Sequence, residues 1–155
     1  MHPSYGAGHT TVAGACVTVL KAFFATQELL PVAVEVVDDG SGGTKLVNSH
    51  EHLTVGGELN KLAANIALGR NGAGVHYRTD YTASLALGEA VAVAMLQEQA
   101  MVLREGKQAT DITWQFENFS GETVEILFDG TIKSAGPQPE KNLAPLNAKQ
   151  FQYKS

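Results

Sequence analysis

The chain has 155 residues, enough for one domain with a modest core, and its 44% hydrophobic and 17% charged content excludes a disordered polymer. A net charge of -5 offers no basic footprint for nucleic acid, and no apolar run approaches the roughly 20 residues that cross a membrane. The segment after Met1 lacks the charged and apolar regions of a signal peptide, and the single Cys16 permits no internal disulfide.

The chain opens on HPSYGAGHT, a glycine loop flanked by His2 and His9. From residue 9 to about 26, Val12, Cys16, Val19, Leu20 and Phe23 recur at the spacing of one helical face, which predicts a core helix with Cys16 as a small buried residue. Pro31 follows it, and DDGSGG at 38–43 reads as a turn-rich connector without periodicity. Asp38 and Asp39 have only half of a calcium loop's spacing and read as a turn. His50 and His52 could share one side of a strand, but with no third ligand nearby they read as a surface loop.

Leu59, Leu62, Ala63, Ile66 and Ala67 predict a second helix that stops near Arg70. A third runs over about 80–104, with Leu85, Gly88, Ala92, Met95, Leu96 and Val102 as contacts and Gly88 admitting a close neighbour. Then DITWQFEN and ETVEILF alternate across a Ser120-Gly121 turn, with a second turn at Asp129-Gly130, predicting an antiparallel hairpin or meander. Its core would be Trp114, Phe116, Phe119 and Phe128. The last twenty residues read as an extended tail. The expectation is a mainly α, single domain over 1–155, helical over 1–108 and β plus tail over 109–155.

Two polar clusters stand out. GAGHTT opens the first helix, where backbone N–H groups and the positive end of the dipole can hold an oxyanion. GRNGAGVHYRTD places Arg70, His76 and Asp80 in one short span, with Gly72 and Gly74 letting the backbone curl. Arg70 offers a fork of donors suited to an oxyanion; His76 can be a ligand or nucleophile through one ring nitrogen, with Asp80 on the other. Each cluster also has a plainer reading, a capped turn for the first and solvated loop charges for the second.

Together, in this order, they resemble the second and third signature motifs of the vanadium-dependent haloperoxidases and related acid phosphatases, Ser-Gly-His and Arg-x5-His-x3-Asp. The wording HPSYGAGHTTVAGACVTVLKAF, then GGELNKLAANIALGRNGAGVHYRTDYTASLALGE, is most similar to the C-terminal catalytic region of the algal and cyanobacterial bromoperoxidases, and FSGETVEILFDGTI resembles their β segment. The resemblance implies a helical-bundle fold and a vanadate cofactor. His76 would be the residue on the metal. Arg70 and the Gly8 N–H would balance the charge of its oxygens, His9 would act as acid and base, Asp80 would orient His76, and His2 would lie close by. It also implies oxidation of bromide by hydrogen peroxide to a hypobromous-acid-like species that halogenates an organic acceptor.

The same cradle would serve a phosphatase working through a phosphohistidine on His76, with His9 protonating the leaving group. Ala7 stands where the family has serine, which predicts weaker cofactor binding. The family's first motif, a lysine followed seven residues later by Arg-Pro, is expected upstream of Met1, since Lys21, Lys45 and Lys61 precede no Arg-Pro. The chain therefore reads as the C-terminal part of a haloperoxidase catalytic domain, completed by a homo-oligomer or by the N-terminal part of a longer chain. A non-catalytic remnant or assembly module is the reading of a different class, and an exposed apolar surface would favour it.

Overall fold

Small residues at two helix crossings decide the architecture. The computed structural model describes residues 6–30, 34–48 and 53–135. Helix α1 spans Gly8–Phe23, α2 Val55–Gly72 and α3 Arg78–Val102. Gly14 and Gly88 lie where α1 crosses α3, and neither has room for a side chain. A Cβ on Gly88 would fall 2.1 Å from the Thr11 carbonyl oxygen, and one on Gly14 would fall 2.6 Å from that of Leu85. Around this contact, Ala13, Val17, Ala63, Ala64, Ala67, Tyr81 and Leu85 form one core shared by all three helices.

That crossing corrects the predicted face of the first helix. The side of α1 turned inward carries Thr10, Ala13, Gly14, Val17, Thr18 and Lys21. Val12 and Phe23 are 63% and 64% exposed, and Cys16 is exposed rather than a core residue. The apolar period is real, but side chains of that size cannot sit against a backbone this close, so the small and polar face goes in. The same selection acts on the other helices. Ala63 and Ala67 of α2 are buried while Leu62 and Ile66 are exposed; on α3, Leu85, Gly88, Ala92 and Leu96 are buried while Met95 and Val102 are not. By length and apolar composition α3 also approaches a membrane span more nearly than its sequence suggested. Its inner face is spent on α1 and on the sheet described next.

The turn-rich DDGSGG connector closes a β-hairpin whose strands the sequence pattern did not indicate. Strands β1 (Val34–Asp38) and β2 (Thr44–Asn48) pair antiparallel from Val34↔Asn48 to Asp38↔Thr44. Asp39 Oδ1 accepts the N–H groups of Ser41 and Gly43, and Gly40 and Gly42 take positive φ. The predicted meander is present as β3 (Ile112–Glu117), β4 (Thr123–Leu127) and β5 (Ile132–Ala135), in that order and antiparallel. Phe116, Val124 and Ile126 pack with Leu96 and Ala100 of α3, with Trp114 partly buried beside them. The Trp114 indole N–H donates to the Leu96 carbonyl at 3.2 Å. The fold is thus mainly α with a small antiparallel sheet, as the sequence indicated. His2, His50, His52 and the tail 136–155 lie outside the described residues.

Candidate anion-binding site

The two sequence clusters meet through the first turns of α3. Helix α2 ends at Gly72, and the chain turns back within five residues. Gly74 takes φ 73°, and the Val75 N–H reaches the Arg70 carbonyl at 3.3 Å. This return puts the last turn of α2, which carries Arg70, beside the start of α3, which carries Asp80.

His76 is buried, and its Nδ1 stands 3.6 Å from Asp80 Oδ2. The same carboxylate oxygen accepts the Tyr77 N–H at 2.9 Å, so Asp80 caps α3 and faces the imidazole at once. Asp80→Ala is expected to cost about 1–2 kcal/mol of stability, the usual range for a lost cap. Asp80→Asn, which can still accept the Tyr77 N–H, should cost clearly less. Urea unfolding of the two variants checks the order.

Arg70 is half-buried. Its Nε is enclosed and has no hydrogen-bond partner among the described residues. A buried guanidinium donor without an acceptor is costly, and an anion at the site would relieve it. The Thr10 hydroxyl, fully buried in the first turn of α1, likewise has no partner among the described residues.

The glycine loop supplies further donors. Gly6 takes φ 84° and leads into Ala7, the residue preceding α1. The first bond within the helix runs from the Thr11 N–H to the Ala7 carbonyl, and no side chain among the described residues caps α1. The N–H groups of Gly8, His9 and Thr10 therefore precede the helical ladder at the positive end of the dipole. His9 and Gly8 are exposed there, while Ala7 is buried. The loop is tied to α3 by one bond that sequence reasoning missed, from the Ala7 N–H to Ser84 Oγ at 3.0 Å. The available signal was spacing: Asp80, Ser84 and Gly88 recur every four residues along α3, as one side of a helix requires. The residues present therefore fit an oxyanion group, with donors from Arg70 and the start of α1 and a ring nitrogen from His76.

Residues 1–105 match the family described as the VCPO second helical-bundle domain. The vanadium-dependent bromoperoxidases of Corallina officinalis and Corallina pilulifera are 49% and 50% identical to the chain over 127 residues, 81% of its length. That of Ascophyllum nodosum is 40% identical over 139 residues, 87% of the chain. The aligned part covers 20% of each Corallina protein and 24% of the Ascophyllum protein. Since the family match takes in both polar clusters and all three helices, the chain belongs to the vanadium haloperoxidase family, through its second helical-bundle domain.

Proposed function

We propose that the chain carries the vanadate-binding part of a bromoperoxidase. The observation that carries the reading is the buried His76–Asp80 pair with the Arg70 Nε, which has no partner among the described residues, at the preceding helix end. Vanadate, when bound, supplies a Lewis acid that activates hydrogen peroxide toward bromide, and an organic acceptor takes up the halogen. His76 would hold the metal through Nε2, its Nδ1 facing Asp80, which would set tautomer and ring orientation. Arg70 and the Gly8 N–H would donate to the oxygens and balance their charge. His9, exposed at the start of α1, accepts and returns protons and exchanges them with solvent. His2, which the family resemblance assigns a place close to the cofactor, lies outside the described residues.

On this reading the chain supplies one domain of a larger catalytic unit, since its aligned part covers 20% of each Corallina protein and 24% of the Ascophyllum protein. The exposed apolar stripe of Val12, Leu20 and Phe23 supports contact with another helical surface, in a second copy or in the rest of a longer enzyme.

The test is titration of the full chain with vanadate, followed by vanadium NMR. Binding should be one-to-one and lost in His76→Ala. Ala7→Ser, which restores the hydroxyl usual in the family, should tighten binding by about 1–3 kcal/mol, the worth of one hydrogen bond to a charged group. No binding by the wild-type chain overturns the reading. Hydrolysis of a phosphate monoester without peroxide, lost in His76→Ala, would favour the phosphatase instead.

A further inference from the structure

We infer that Ser84 is the positioning residue that sets the glycine loop against His76. The inference rests on the anion-site reading but concerns a residue that the motifs do not contain. Ala7 is fully enclosed, so its N–H needs an acceptor within the protein. The acceptor is Ser84 Oγ at 3.0 Å, itself 3% exposed on α3. It also fixes the loop ahead of α1, which no side chain among the described residues caps.

Asp80 lies one turn before Ser84 and, through Oδ2, holds the Tyr77 N–H and faces His76. Gly88 lies one turn after Ser84, with the Thr11 and Ala15 backbone against it. A single row on α3 thus sets three things in succession: the imidazole, the anion-binding N–H groups and the first full turn of α1. The Gly88 contact fixes how near the two helices lie. The Ser84 bond fixes the peptide between Gly6 and Ala7, the unit directly ahead of the one that carries the Gly8 N–H, and so anchors the entry of the loop into α1. The relative position of the two halves of the site is therefore written into α3, not into either loop.

The experiment compares wild type, Ser84→Ala, Ser84→Thr and Ser84→Cys in the full chain. Two quantities are read: amide hydrogen exchange by NMR, and affinity for vanadate alone. In Ser84→Ala, exchange at Ala7 should rise and vanadate affinity fall, each roughly tenfold for one lost hydrogen bond, while Val17 and Thr18 in the middle of α1 keep their protection. Ser84→Thr, which keeps the hydroxyl, should restore both. Ser84→Cys, close in size to serine and a weaker acceptor, should fall between and serves if the added methyl of threonine does not fit. Unchanged Ala7 exchange, or unchanged affinity, in a folded Ser84→Ala overturns the inference. Loss of protection throughout α1 also overturns it, because Ser84 would then be merely structural. A wild-type chain that binds no vanadate overturns the site reading instead, and Ala7 exchange still decides whether Ser84 holds the loop.

Discussion

Gly88→Ala is expected to destabilise the protein by about 3 kcal/mol, at the upper end of the range for overpacking a core. The methyl carbon would lie 2.1 Å from the Thr11 carbonyl oxygen and 2.7 Å from the Ala15 nitrogen. Both are backbone atoms, so no rotamer change relieves the clash and α1 must move away from α3. In a chain of this size each kcal/mol shifts the melting temperature by roughly 2–4 °C, giving a loss of about 10 °C. Gly69→Ala in α2 is the control, because a Cβ there meets nothing within 4 Å. That substitution should be neutral or gain about 0.5–1 kcal/mol from helix propensity. Thermal unfolding of the two variants separates the glycine that a crossing requires from the one that only weakens a helix. Equal losses would mean that the α1–α3 contact does not limit stability. Vanadate affinity should fall with Gly88→Ala too, because Thr11 lies one turn from the Gly8 N–H.

The same crossing explains which parts of the fold were legible in the sequence. Element positions were, because the periods that mark α1, α2, α3 and the meander are local properties of the chain. The inward face of α1 was not. Apolar spacing selects Val12, Cys16, Leu20 and Phe23, but Gly14 and Gly88 bring two backbones so near that only Ala13, Gly14, Val17 and Thr18 fit between them. Large apolar residues mark an inward face only where the neighbour leaves space. The β1–β2 hairpin escaped for another reason. Its strand residues are mostly exposed, so no alternation was imposed on them, and the turn is held by Asp39, whose carboxylate is kept below its ordinary range by hydrogen bonds from Ser41 and Gly43. At the candidate site, Arg70, His76, Asp80 and the glycine loop were singled out by their spacing together with the family resemblance, each cluster alone having a plainer reading. Ser84 was not, because it is recognised only by the peptide that it holds 77 residues away.

Lys21 is the other residue that sequence reasoning passed over, and it gives the largest expected pH effect. It lies on the inward face of α1 with no exposed surface, its Nζ donating to the Glu117 carbonyl at 3.0 Å and standing 4.3 Å above the Phe119 ring. The Phe119 N–H in turn donates to Glu89 Oε1 at 2.8 Å, so α1, α3 and the end of β3 meet at one buried ammonium. Burial lowers its pKa from 10.5 to about 8, outweighing the attraction of Glu89 and Glu117. A lowered folded-state pKa means that the unfolded chain holds the proton more tightly. The stability gained from this group is therefore full above pH 10.5 and lost as pH falls through about 8. Between those limits the gain amounts to ~3 kcal/mol, at about 1.4 kcal/mol for each pKa unit. Burial raises the Tyr81 phenol above 10.0, and stability from that group is lost as pH rises through its folded pKa, so the cleanest interval is pH 8 to 10. Guanidinium unfolding should show wild-type stability climbing over that interval, with most of the rise absent from Lys21→Met. A Lys21→Met variant that keeps the full rise would mean that the ammonium titrates normally and that another group carries the effect.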